Sequence, residues 1–153
     1  MKPSRFWYGC LYGEGVWSMV DEKQKIRNFK DLEVYQNTYA AMLTVMKKIV
    51  IDLPENEKFD LRDQLSRACK AIPRLIAEGY AKRHQKAGFQ KYLDDAMAEC
   101  NEMFVSLEQC RDLYPSHIDI NLCESLIKIY DISARQLYKL SMSWTNFKRR
   151  EIF

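Results

Sequence analysis

From Asn28 onward the apolar residues recur with helical period, and proline, glycine or clustered polar residues mark the breaks between periodic stretches. Leu32, Tyr35, Tyr39, Met42, Met46, Ile49 and Leu53 step alternately by three and four, which aligns them along one seam of a first helix. Asn28, with Asp31 three residues later, reads as its capped start. Leu53-Pro54-Glu55-Asn56 ends it, because proline disfavours helical geometry in the residue before it.

A second helix is predicted from about residue 58 to residue 80, on Leu61, Leu65, Ala68, Ile72 and Ile76 with Leu75 widening the stripe. Pro73 lies inside it and removes the N–H that would reach the carbonyl of Cys69, so a bend is expected there; Gly79 offers a flexible point near the next turn. The third helix has the most regular seam: Phe89, Leu93, Ala96, Cys100, Met103, Leu107 and Cys110, with Met97 and Phe104 beside it and Asp94, Asp95, Glu99, Glu102 and Glu108 on its outer face. Tyr114-Pro115-Ser116 interrupts the pattern, and Ser116 with Asp119 reads as a capping-box variant. The fourth helix carries Leu122, Leu126, Ile129, Leu137, Leu140, Trp144 and Phe147 before the basic end Lys148-Arg149-Arg150.

No stretch reads as a strand. Four amphipathic helices with short connections are expected to pack as an all-α, antiparallel up-down-up-down four-helix bundle over residues 28–150, with a kinked second helix. Residues 1–27 are rich in Trp, Tyr and Gly without periodicity and are read as a flexible N-terminal extension. Met19 opens a polar leader, so residues 1–18 are read either as translated upstream of the true start or as an aromatic arm that docks on a partner. Peptides upstream of Met19 in the mass spectrum of the natural protein decide against the first alternative.

Composition sharpens this picture in three places. The 153 residues hold only 5 glycines and 4 prolines, as a helical domain requires. Five cysteines, Cys10, Cys69, Cys100, Cys110 and Cys123, include no C-x-x-C pair; four fall within helical patterns as small apolar residues, and the compartment is read as reducing cytosol. The longest uncharged run, Val34–Met46, has 13 residues, too few to cross about 30 Å of hydrocarbon, and no signal peptide is recognised near the start.

Net charge is +3, but between residues 58 and 91 nine Lys/Arg stand against three acids, which leaves an acidic excess elsewhere. Arg67, Lys70 and Arg74 line one face of the second helix at i, i+3 and i+7, and Lys82, Arg83 and Lys86 follow beyond Gly79. Such a row can neutralise phosphates, or it can stand as solvated charge and ion pairs between subunits. Glu78 is placed to pair with Lys82 or Arg74. Tyr35, Tyr39 and Tyr92 are candidates for stacking on bases, although Tyr35 and Tyr39 lie on the seam and are read first as packing residues. His84 and His117 form no catalytic or metal-binding set, the glycines form no phosphate loop, and no enzyme activity or cofactor is expected.

Asn28-Phe29-Lys30-Asp31-Leu32-Glu33-Val34-Tyr35-Gln36 is similar to F-x-D-L-x-V-W/Y-Q, and residues 64–83, with Gln64, Arg67, Ala68, Ile72-Pro73, Ile76-Ala77-Glu78-Gly79-Tyr80 and Lys82-Arg83, to Q-x-x-R-A…I-P…I-A-E-G-Y/F-x-R/K-R. Both motifs are those of the 23S rRNA intervening-sequence protein family, and the resemblance covers about residues 28–113. It implies a small four-helix bundle that assembles as a homopentamer. Related accessory variability proteins of diversity-generating retroelements imply a basic surface that engages nucleic acid and a reverse transcriptase. Arg74-Leu75 departs from the family pattern, which has a small residue and Asn there; Arg74 extends the basic stripe instead.

The expected function is therefore that of a non-enzymatic, cytoplasmic homo-oligomer that binds RNA or DNA through Arg67, Lys70, Arg74, Lys82, Arg83 and Lys86, as an accessory to an rRNA intervening sequence or a reverse transcriptase. The alternative is a protein-interaction scaffold in which the basic second helix packs on the acidic third helix of a neighbouring subunit.

Overall fold

A computed structural model of the chain describes residues 25–143. The expected N-terminal extension to residue 24, Cys10, Trp144, Phe147 and the basic end lie outside the described residues. Four helices make up the described chain, which contains no strand: α1 (Glu33–Thr44), α2 (Leu61–Ala81), α3 (Lys86–Leu113) and α4 (Ile120–Met142). None is long and apolar enough to cross a membrane.

The start of the domain is fixed by reciprocal capping. Asn28 Oδ1 accepts from the Lys30 N–H at 2.7 Å, while the Asp31 carboxylate accepts from the N–H groups of Arg27 and Asn28 at 2.8 and 3.0 Å. Those backbone bonds hold the Asp31 carboxyl below its ordinary pKa. The capping pair was legible in the sequence, but it closes a separate 3-10 turn (Phe29–Asp31); Leu32 is extended and α1 begins one residue later. At its other end α1 widens into a π-turn over Val45–Ile49, where Val50 N–H reaches the Val45 carbonyl at 2.9 Å. Arg62 Nε then donates to the Leu53 carbonyl at 3.1 Å and its guanidinium pairs with Glu55 at 3.0 Å, fastening the connection to the start of α2.

α2 buries Leu61, Leu65, Ala68, Cys69, Ile72, Pro73, Ile76 and Gly79. It continues past Pro73 to Ala81. Gly79 has a different use from the flexible point expected of it: it lies inside the helix, and a Cβ placed there meets Tyr92 Cβ at 3.1 Å and Leu93 Cδ2 at 3.5 Å. Absence of a side chain lets α2 and α3 approach closely.

α3 buries the whole predicted seam from Phe89 to Cys110. Its neighbours are α2 and α4, with which it packs most extensively, while α1 rests on α2 and α4 over a smaller area. Tyr114 after α3 donates to Glu57 just before α2, Cys123 Sγ on α4 donates to the Leu107 carbonyl at 3.2 Å, and Gln136 of α4 donates to Glu33 of α1 at 3.3 Å. These contacts place the α1–α2 and α3–α4 connections at one end of the bundle. The start of α1, the α2–α3 connection and the end of α4 lie at the other.

Two seams differ from expectation. In α1 the buried row is Val34, Thr38, Ala41, Val45 and Ile49; Tyr35, Met42 and Met46 stand at its flank, and Tyr39 is 44% exposed. In α4, Asp119 is the cap, its Oδ1 accepting from Leu122 N–H at 3.0 Å, and Cys123, Leu126, Ile127, Tyr130, Ser133, Leu137 and Ser141 face inward, with Leu122, Ile129 and Leu140 partly buried beside them. Cys69, Cys100, Cys110 and Cys123 are free and buried, as their apolar context predicts. Burial pushes their thiols up, to about 11 for Cys69 and Cys123 and about 12 for Cys100 and Cys110.

Candidate nucleic-acid interface

The three cations expected to line α2 point outward because the apolar stripe occupies the opposite side of the helix. Arg67, Lys70 and Arg74 are exposed, yet their surroundings differ. Arg67 Nε pairs with Asp63 Oδ2 one turn earlier at 3.1 Å, and its charge is felt by Glu99 of α3. Burial, then Glu102, raises the Glu99 carboxyl, against which Arg67 acts. Arg67 is therefore set among carboxylates. Arg74 lies back along α2, its Nε donating to the Lys70 carbonyl at 3.1 Å. Among the described residues, neither Lys70 nor Arg74 has an ion-pair partner.

Glu78 forms neither of the two pairs expected of it; its charge is felt across the helix interface by Lys91 of α3. Lys91 itself is held charged chiefly by the hydrogen bond to Asp95 at 3.0 Å. Interhelical neighbours, which helical spacing does not show, thus decide which charges remain available.

Beyond α2 the chain turns tightly, with Lys82 N–H reaching the carbonyls of Glu78 and Gly79. Lys82 is exposed, and the lower part of its side chain runs over Gly88, whose notional Cβ lies 3.4 Å from Lys82 Cβ and Cδ. Arg83 is half-buried: its guanidinium sits 4.3 Å from the centroid of the Tyr80 ring and donates to the Tyr80 carbonyl at 3.0 Å. Lys86, exposed, opens α3. From Arg67 to Lys82 the row extends roughly 22 Å along α2 at the rise of an α-helix.

The far end of the bundle has the opposite character. Glu55, Glu57, Asp60 and Asp63 cluster about the start of α2, and Glu108, Asp112, Asp119 and Glu124 about the α3–α4 connection, with Arg62 and Arg111 paired into them. Charge is therefore divided between the two ends of the bundle as well as between the outer faces of α2 and α3.

The feature that sequence reasoning placed wrongly is aromatic. Phe29 meets Tyr35 edge-on at 5.0 Å, and Tyr35 stacks on Tyr39 at 5.8 Å and 26°. Tyr92, the third candidate, is half-buried between α3 and the Gly79 contact. The competing row Val34, Thr38, Ala41, Val45, Ile49 was the available signal, and its members are smaller on the whole than the tyrosines and methionines beside them.

No curated protein and no solved structure matches the chain. The family model described as 23S rRNA-intervening sequence protein matches residues 30–146, most of the chain and all four helices. With the two motifs and the four-helix architecture in agreement, the chain belongs to the 23S rRNA-intervening sequence protein family.

Proposed function

We propose that this chain is a non-enzymatic, cytoplasmic bundle that assembles as a homo-oligomer, a pentamer by its resemblance, and binds RNA or DNA through the cations of α2 and the α2–α3 connection. The observation that supports this reading most directly is the exposure of Lys70 and Arg74 on α2 and of Lys82 just past its end, without ion-pair partners among the described residues. Arg83 and Lys86 extend the row around the end of the bundle, and Arg67 contributes less because Asp63 already engages it. Contacts of this kind recognise backbone phosphate, so binding is mostly sequence-independent and falls with salt. Repetition around an oligomer adds strength, because later contacts are effectively intramolecular. Service to an rRNA intervening sequence or a reverse transcriptase is the accessory role this activity suits.

The test is fluorescence anisotropy with labelled RNA and duplex DNA across a salt series, on the full chain and on Lys70→Glu/Arg74→Glu. The expected result is salt-sensitive binding, whose slope shrinks by about 0.9 for each duplex phosphate contact removed. Absence of binding at low salt, or an unchanged slope in the variant, refutes the reading.

A second reading, the protein-interaction scaffold, is favoured by the position of Arg67 among Asp63 and Glu99. In that case α2 cations face the acidic α3 of a neighbouring subunit. Arg67→Glu then lowers the mass seen by light scattering and leaves nucleic-acid affinity unchanged.

A further inference from the structure

We infer that the aromatic row at the start of α1 is a stacking platform for the unpaired bases of single-stranded nucleic acid, with Tyr39 as the receiving ring. This rests on the proposed phosphate-binding reading and names the form of nucleic acid it serves.

Tyr39 is a large side chain left 44% exposed on a helix whose neighbouring flank residues, Tyr35 and Met42, are partly covered. It is also held in place. One side of its ring is covered by Tyr35, which Phe29 braces edge-on, and Gln36 Nε2 ties α1 back to the Lys30 carbonyl at 2.8 Å. A ring supported on one side and exposed on the other meets a planar base at little further cost in side-chain entropy.

The location supplies the second half of the site. The 3-10 turn that carries Phe29 and Lys30 packs against α2, while Arg62 anchors the opposite end of α1 to the start of α2; Phe29 and Tyr35 therefore lie toward the α2 end that carries Lys82 and Arg83, with Tyr39 one turn further along α1. Arg83 is held on the Tyr80 ring, so an aromatic–cation pair stands at the same end. Cations and an exposed aromatic face toward one end of the bundle match the two parts of a single strand, phosphate and splayed base. A duplex offers its phosphates but keeps its bases stacked, and it engages the cations without the platform. Opposite charge at this end of the bundle favours a polyanion over an apolar peptide as the occupant.

The experiment compares a labelled oligouridine with an RNA duplex, using the full chain and the variants Tyr39→Ala, Tyr39→Phe and Arg74→Glu, each checked for helicity by circular dichroism. Tyr39→Ala is expected to weaken single-strand binding roughly 5- to 100-fold, as loss of one stacking partner does, with duplex affinity and salt slope unchanged; Tyr39→Phe keeps the affinity. If duplex and single strand both bind and respond to Arg74→Glu while Tyr39→Ala is silent, the platform is refuted and the phosphate reading stands. A fall in assembly mass for Tyr39→Ala without loss of affinity gives the face to a second copy and also overturns the platform. Absence of binding to either nucleic acid removes both.

Discussion

α3 and α1 are both amphipathic, yet they relate to the core in different ways. α3 lies between α2 and α4 and buries a seam of Phe89, Leu93, Ala96, Cys100, Met103, Leu107 and Cys110, with little left to choose between faces. α1 presents two apolar rows side by side, and the bundle takes the one with Val34, Thr38 and Ala41, leaving Tyr39 and Leu43 outward. A periodic pattern identifies the buried face only when a single row exists. Where two compete, the size that fits between neighbouring helices decides, and the row left outside is free for another use.

The largest expected effect separates the two regions by pH. Among the described residues the four buried thiols lie in α2, α3 and α4, and none lies in α1. Their folded pKa values, about 11 to 12, stand above the ordinary value of 9.0. An unfolded chain releases these protons first, so the contribution is fully present below pH 9 and declines as pH rises toward 11 to 12, by up to about 1.4 kcal/mol per pH unit for each thiol. Urea unfolding at pH 8 and pH 10 measures the loss. Rapid alkylation of these thiols in the folded protein at pH 8 contradicts their burial.

Truncation breaks the comparison directly. Leu93→Ala in α3 removes a side chain with no exposed surface and is expected to cost about 2–5 kcal/mol. Tyr39→Ala is expected to cost less than about 1 kcal/mol, since a large part of the ring is already in water. Equal urea midpoints for the two variants end the distinction drawn between these helices.

Legibility followed the same division. The existence of four helices, the α3 seam, the Asn28–Asp31 cap and the burial of four cysteines were all readable, because each depends on local spacing or on one unambiguous face. Which α1 row faces inward depends on α2 and α4, and a single helix does not contain that information. The outward direction of Arg67, Lys70 and Arg74 was readable from i, i+3, i+7 spacing. Asp63, one turn before Arg67, was readable too; Glu99, whose carboxyl feels the Arg67 charge, comes from another helix and was not. Gly79 shows the limit most plainly, since a helix–helix approach and a flexible turn call for the same residue.

That glycine supplies a smaller test of the tight α2–α3 packing. Gly79→Leu places new atoms against Tyr92 Cβ, which the α3 backbone holds, and is expected to cost about 1–3 kcal/mol. Gly88→Ala, by contrast, meets only side-chain atoms, Lys82 at 3.4 Å and Gln85 Oε1 at 3.6 Å, and is expected to stabilise α3 by about 0.5–1 kcal/mol. Similar costs for both place the close approach elsewhere.

The last effect concerns the buried hydroxyls of α4 and α1. Tyr130 and Ser133 are fully buried on α4, nearly two turns and one turn before Gln136, which reaches Glu33 of α1; neither hydroxyl has a partner among the described residues. Burial pushes the Tyr130 phenol well above its ordinary pKa. Thr38 on α1 is equally buried, but its hydroxyl donates to the Val34 carbonyl at 2.7 Å. An unpaired buried hydroxyl detracts from stability, whereas a paired one contributes modestly. Tyr130→Phe, which keeps the ring and deletes only the oxygen, is therefore expected to raise unfolding free energy by about 1 kcal/mol. Thr38→Val is expected to lower it or leave it unchanged. A loss on Tyr130→Phe as large as that on Thr38→Val establishes that the phenol is engaged in the native protein.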